Sequence, residues 1–153
     1  MRVYHQILLF LGCLLLACSC VSHRVRDVPQ AMASLKDGQQ VWIYYTEEGC
    51  FGSAKMKLTI KRQGDNFTAR LFDLLKSPSH PLKTATLPLG ATDAFQKFGR
   101  EFGRKFPGYC TTYGTYKIEA PYLEVSKQDG SCGWNGFQQL CADFFGGSVD
   151  SGL

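Results

Sequence analysis

Val41-Trp42-Ile43-Tyr44-Tyr45-Thr46, followed by Ala54-Lys55-Met56-Lys57-Leu58-Thr59-Ile60-Lys61-Arg62, decides the fold of this chain. The first run is dense in β-branched and aromatic residues, which pack well on a pleated surface, and it predicts a strand. The second alternates: Met56, Leu58 and Ile60 fall on one face, Lys55, Lys57, Thr59 and Lys61 on the other. A period of two with one apolar and one polar side is the pattern of a half-buried strand. Glu47 to Ser53 between them reads as a turn or short loop. Gln63-Gly64-Asp65-Asn66 turns the chain again, and Phe67, Ala69 and Leu71 alternate with Thr68 and Arg70. Val41 to Phe72 is therefore expected to be a three-stranded antiparallel meander.

Moving outward, Pro29 fits a first helical position, with Asp27 just upstream and Gly38 beyond the end. That predicts a short helix over 29–36 presenting Met32 and Leu35. Ser77 to Pro81 is a loop, and Thr84 to Leu89 a short edge strand. Thr92 is expected to cap a helix running to about Phe106. Phe95, Phe98, Phe102 and Phe106 form its apolar stripe, with Lys97, Arg100 and Arg104 opposite. Gly99 and Gly103 flank the stripe and permit close approach to a sheet. Tyr113 to Glu119 and Tyr122 to Ser126 make a second hairpin turning at Ala120-Pro121. Asp129-Gly130 turns the chain, and Asn135 with Gln138 resembles a capping box for a last helix. Phe137, Leu140, Cys141 and Phe144 line that helix, and Gly146-Gly147 stops it. The fold class is α+β: an antiparallel sheet, meander plus hairpin, with two amphipathic helices packed on one face.

The beginning of the chain is different in kind. One basic residue, Arg2, precedes an apolar run from Ile7 to Ala17. That is the length of a signal-peptide core, too short to span a bilayer. Its end, Leu15-Leu16-Ala17-Cys18, resembles the lipobox of bacterial lipoprotein precursors. The resemblance covers the leader alone; the body resembles no family. It implies a diacylglyceryl and palmitate anchor on Cys18, which becomes the mature N-terminus. Several acyl chains, at about 0.8 kcal/mol per buried CH₂, hold a protein stably in a membrane. Ala17-Cys18-Ser19 also fits ordinary small-x-small cleavage, and Cys20 is the alternative attachment site. The expected organisation is a signal peptide over 1–17, a tether over 18–28 and one globular domain over 29–153. Ser19 after the anchor, where an inner-membrane-retained lipoprotein carries aspartate, implies the outer membrane of a Gram-negative envelope.

The charge of the 153-residue chain, +4, falls to about +3 without Arg2, and no Lys/Arg run suggests a nucleic-acid partner. Export makes Cys50, Cys110, Cys132 and Cys141 candidates for disulfides rather than ligands or nucleophiles. Cys110 and Cys132 lie at the open ends of the second hairpin, which leaves Cys50 for Cys141. Cys132 with Cys141 is the competing arrangement. Without a C-x-x-C among these four cysteines and with few histidines, no metal or cofactor is expected.

Catalytic signals are sparse. His80, between prolines, is a candidate general base for a small hydrolase, but no G-x-S-x-G accompanies it. Glu47-Glu48 are adjacent at a hairpin tip and do not specify a paired-carboxylate site. Binding signals are better represented: Tyr109, Tyr113, Tyr116 and Tyr122 with Trp134 gather around the second hairpin, and Lys97, Arg100 and Arg104 form a basic helix face. Trp134 has a second reading, as a hydrophobic staple against the following helix. The reading reached is a non-enzymatic, lipid-anchored envelope protein whose domain binds a protein or glycan of the envelope. An inhibitor or immunity lipoprotein against a cell-wall hydrolase is the alternative, resembling lysozyme-inhibiting lipoproteins in size, anchor and cysteines only.

Overall fold

The computed structural model describes residues 27–49, 52–104, 108–131 and 133–147. The leader, with Cys18 and Cys20, lies outside them, as do Cys50, Phe106 and Cys132. Within them the elements run α1 (Val28–Ala33), β1 (Gln40–Gly49), β2 (Gly52–Gln63), β3 (Asn66–Asp73) and β4 (Lys83–Pro88). A single 3₁₀ turn (Leu89–Ala91) leads into α2 (Thr92–Phe102), then β5 (Tyr113–Ala120), β6 (Leu123–Asp129) and α3 (Gly136–Phe145). All six strands form one antiparallel sheet in the order β4-β3-β2-β1-β5-β6. The expected α+β architecture is thus present, with β1 at the centre.

Register follows from the alternation. Ile43 faces Leu58 on one side and Ile118 on the other, and Leu58 faces Leu71. All four are completely buried, and they belong to one core with Val41, Ile60, Ala69 and Tyr116. The helices supply the opposing layer: Met32 from α1, Phe95, Phe98 and Phe102 from α2, and Phe137, Leu140, Cys141 and Phe144 from α3. Side chains at the intervening strand positions point away from the helices, since successive residues alternate faces.

The strands are longer than the apolar runs that mark them. β1 and β2 continue to Gly49 opposite Gly52, so Glu47 and Glu48 are strand residues and not a loop. Backbone pairing extends a hairpin beyond its buried portion because each added pair satisfies main-chain groups.

Three local expectations are corrected. The second helix ends at Phe102, where Gly103 donates back to the Gly99 carbonyl at 3.1 Å, and not near Phe106. The Lys127 ammonium takes the carbonyls of Phe102 and Arg104, occupying acceptors at the helix end. Gly99 approaches Pro29 of α1 and not the sheet: a Cβ there would lie 2.6 Å from the Pro29 ring. Neither Thr92 nor Asn135 makes a side-chain cap. Ala91 and Asn135 occupy the two cap positions without a side-chain bond, and the Gln138 amide is committed elsewhere. Asp27 does cap α1, its Oδ1 accepting from the Gln30 N–H at 2.8 Å.

The β5–β6 turn is Pro121-Tyr122, one residue later than expected, with Ala120 opposite Leu123. Tyr122 has φ +68°, and it is the only non-glycine with positive φ among the described residues. A side chain in that region crowds the neighbouring carbonyl, at roughly 1–2 kcal/mol.

Candidate functional site

β1 passes from core to site without changing face. Val41, Ile43 and Tyr45 point toward the helices, and the next residue of that parity is Glu47. Glu47 lies opposite Gly114 of β5, and Gly114 lies opposite Asp129 of β6. Two carboxylates therefore flank a glycine on one row of the sheet. The preceding row is Tyr45, Tyr116 and Lys127. α3 and the segment leading into it close the other side with Gln138, Asn135 and Trp134. The result is a cleft of about 310 Å³ that Cys110 and Thr112 also line.

Gly114 lets two rings settle over the β5 backbone beside this cleft. A Cβ there would come within 3.2 Å of both the Tyr45 and the Tyr116 rings. The Tyr45 hydroxyl donates to Glu47 and accepts from the Gln138 side-chain amide at 3.2 Å. Burial, then the bond to Glu47, pushes the Tyr45 phenol well above the ordinary tyrosine range. Burial also raises Tyr116, with Tyr45, Asp129 and Glu47 adding to it. Both therefore act as neutral donors at physiological pH. Asp129 is only 6% exposed and, among the described residues, accepts one bond, from the Ser131 N–H at 2.8 Å. Gln138 Oε1 is buried and has no hydrogen-bond partner among the described residues. A lone buried acceptor of this kind costs about 1–3 kcal/mol.

Among the described residues, no helix covers the opposite face of the sheet. Trp42, Tyr44 and Phe72 stand there half-buried, with Lys57 Nζ 4.7 Å from the centre of the Phe72 ring. On the β2–β4 half the outward residues include Lys55, Lys57, Lys61 and Arg70, and no acid stands among them. On the other half Lys117 is neutralised by Glu119 at 2.7 Å and Glu124 at 3.0 Å. The free positive charge of the face is thus gathered over β2 and β3.

The sequence-predicted residues scatter across these features. Tyr116 is a buried core residue, and half-buried Trp134 packs at 4.7 Å on Tyr116 and at 5.6 Å on Phe98. Its indole N–H donates to Glu101 at 3.1 Å. Trp134 thus packs on the preceding helix and β5, and its indole also lies over Gly136, the first residue of the following helix that the staple reading pointed to. Tyr109 is entirely exposed, Tyr113 donates to Glu48 at 2.8 Å, and Tyr122 lies at the far end of the β5–β6 hairpin. They form no single aromatic patch. Lys97 and Arg100 are exposed on α2, and Arg104 is exposed beyond its end. His80 is exposed in the β3–β4 connection, and its carbonyl accepts from Ser77 at 3.4 Å.

Cys141 is a free, buried thiol, so its pairing with Cys50 or with Cys132 is overturned. It lies on the core face of α3, close enough to Lys83 to feel its charge, and Lys83 shares the row of Leu71, Leu58 and Ile43. Gly49 at the hairpin tip is six residues further along β1, about 20 Å at strand rise. The Cys110–Cys132 pairing turns on Cys132, outside the described residues.

Glu47, Asp129, Tyr45 and Gln138 were not singled out as site residues from sequence. For Tyr45 and Glu47 the signal existed, since both share the parity of Val41 and Ile43. Asp129 reads as a turn residue and Gln138 as a capping-box partner, and neither reading points to a cleft. Among the described residues no cluster of three or more metal-ligating side chains occurs, and no helix is long and apolar enough to cross a membrane. Comparison of the chain with protein-family models, curated proteins and solved structures finds no match.

Proposed function

We propose that this chain is a lipid-anchored lipoprotein of the cell envelope, acylated at Cys18, whose domain acts by binding another envelope component and not by catalysis. The supporting feature of the leader is its sequence, Leu15-Leu16-Ala17-Cys18. Ser19 after the anchor favours the outer membrane. A Cys110–Cys132 disulfide fits the same compartment: the Cys110 N–H donates to Gly130 at 3.1 Å, and Gly130 is two residues from Cys132 in sequence.

The observation that carries the binding half of the proposal is the open sheet face. Four cations without an acid among them, beside Trp42, Tyr44 and Phe72, suit an anionic partner with flat or ring-shaped groups. Aromatic surfaces contribute contact area at low entropic cost, and clustered charge speeds encounter with an oppositely charged partner.

The test uses the detergent-solubilised full chain, sedimented with purified lipopolysaccharide and, separately, with peptidoglycan sacculi. Retention by at least one is expected, with about tenfold loss in a Lys57→Glu, Arg70→Glu variant, a change of about 1.4 kcal/mol. No retention by either, or retention indifferent to both substitutions, sinks the reading. Palmitate labelling that vanishes in Cys18→Ala and persists in Cys20→Ala checks the anchor; the reverse moves it to Cys20.

A further inference from the structure

We propose that the cleft between β1, β6 and α3 is a binding site for an organic ammonium group, held between the carboxylates of Glu47 and Asp129. The site is separate from the open sheet face, on the other side of β1, and the two readings stand or fall independently.

Three observations converge. First, none of the described residues lining the cleft is Lys, Arg or His, although two of them are carboxylic acids. Second, Asp129 is a buried acid that makes no ion pair with a described residue; Lys127, two residues before it on the same face of β6, gives its ammonium to the carbonyls of Phe102 and Arg104. Among the described residues its one hydrogen bond comes from Ser131 in its own turn. A buried carboxylate without a counter-charge is costly, and removing that cost is a source of ligand affinity. Third, Gln138 Oε1 is a buried acceptor lacking a donor, on a residue that lines the same cleft.

An alkylammonium group supplies what these three lack. It brings one positive charge and three N–H donors, matching Glu47, Asp129 and Gln138 Oε1. The Tyr116 and Trp134 rings stand beside it, and aromatic faces attract cations. Gly114, between the two acids, lets the Tyr45 and Tyr116 rings approach the strand backbone there. A calcium ion is a poorer fit. It takes six to eight oxygen ligands, and the described lining offers two carboxylates. The ligand class is accordingly a primary amine on a small molecule or at the end of a partner's side chain.

The chain has two tryptophans, so Trp42→Phe leaves Trp134 as the sole indole reporter. The full-length Trp42→Phe protein in detergent is titrated with ethylammonium chloride, with sodium chloride at equal ionic strength, and with calcium chloride. A saturable change in Trp134 emission with ethylammonium alone is expected. It should weaken at least about tenfold in Asp129→Asn and in Glu47→Gln, and stay unchanged in Glu48→Gln, whose side chain stands on the opposite face. Half-buried Glu47 keeps the test available if Asp129→Asn fails to fold. The proposal is overturned by the absence of saturation with ethylammonium, by equal affinity in the carboxylate variants, or by a saturable response to calcium alone.

Discussion

The ammonium of Lys127 on β6 donates to the carbonyl of Phe102, the last residue of α2, and lies 5.4 Å from the centre of the Phe102 ring. A second bond, to the Arg104 carbonyl, completes the closure. One edge-strand side chain thus ends the helix and ties it to the sheet. α2 stops short of Phe106 because the Arg104 N–H turns to the Glu101 carbonyl, three residues back, and Lys127 takes the Phe102 carbonyl that a further turn would use. A charged bond to an acceptor contributes about 1.5–3 kcal/mol. Lys127→Met, which keeps most of the aliphatic stem, is expected to lower unfolding free energy by about 1–3 kcal/mol. Urea denaturation followed by far-ultraviolet dichroism measures it, and an unchanged midpoint would refute the role of the ammonium.

Gly99 sets the distance between α2 and α1. Alanine would gain about 1 kcal/mol of helix propensity. Its Cβ, however, would stand 2.6 Å from Cδ and 3.2 Å from the backbone nitrogen of Pro29, a ring that cannot rotate away. Overpacking of this kind costs about 1–3 kcal/mol, so Gly99→Ala is expected to destabilise despite its better propensity. Gly90, where an added Cβ meets nothing within 4 Å, is the matched control and should be close to neutral. The pair of thermal midpoints decides between propensity and packing.

Stability should fall steeply at alkaline pH. Burial pushes the Cys141 thiol up to about 12 from an ordinary 9.0, and pushes Tyr45 and Tyr116 up from 10.0. Below pH 9 all three are protonated in folded and unfolded chains alike, and their protonation leaves stability unaffected. Above their ordinary values the unfolded chain releases protons that the folded chain retains. Stability then declines with rising pH, by up to about 1.4 kcal/mol per pH unit for each group. The decline begins near pH 9 with Cys141 and steepens above pH 10 with the tyrosines. Urea midpoints at successive pH values measure it. Tyr116→Phe should flatten the slope above pH 10; an unchanged slope would show that the phenol is not shielded.

Much of the fold was legible because it rests on period. Met56, Leu58 and Ile60 alternate so regularly that face and register follow, and β4, α3 and their boundaries came within a few residues. What was not legible lies where the chain serves long-range geometry. Gly99 reads as a weak helix residue until Pro29 is placed beside it. Cys141 reads as a disulfide half until α3 carries it into the core, far from the first hairpin's tip. The cleft is the clearest case. Glu47 and Glu48 are one dipeptide in sequence, but strand alternation sends Glu47 to the cleft and Glu48 to the other face. Asp129 joins Glu47 only through the pairing of both strands with β5, which no local pattern specifies.

Tyr122 occupies the turn position that favours glycine, and it is 81% exposed. Neither burial nor a hydrogen bond offsets its backbone conformation. Tyr122→Gly is expected to stabilise the domain by roughly 1 kcal/mol, less the entropy glycine adds to the unfolded chain. A rise of a few degrees in thermal midpoint is the expected reading. A fall would mean that the exposed ring contributes to the folded state through contacts beyond its turn.

Gly114 separates the cleft from the fold that surrounds it. It is the second residue of β5, paired on both sides, and in a paired strand alanine ordinarily improves stability by roughly 0.5–1 kcal/mol. Its added Cβ would meet Tyr45 and Tyr116 ring atoms at 3.2 Å, a separation that ring shifts of a few tenths of an ångström accommodate. Those shifts carry both phenols away from Gly114 and displace the Tyr45 hydroxyl, which is bonded to Glu47 and to the Gln138 amide. Gly114→Ala is therefore expected to keep its unfolding free energy within about 1 kcal/mol of the parent while weakening ethylammonium binding about tenfold or more. Measured together, urea midpoint and Trp134 titration separate an effect on the ligand from an effect on the fold. Equal binding in the variant would show that the ligand does not depend on where the two phenols sit.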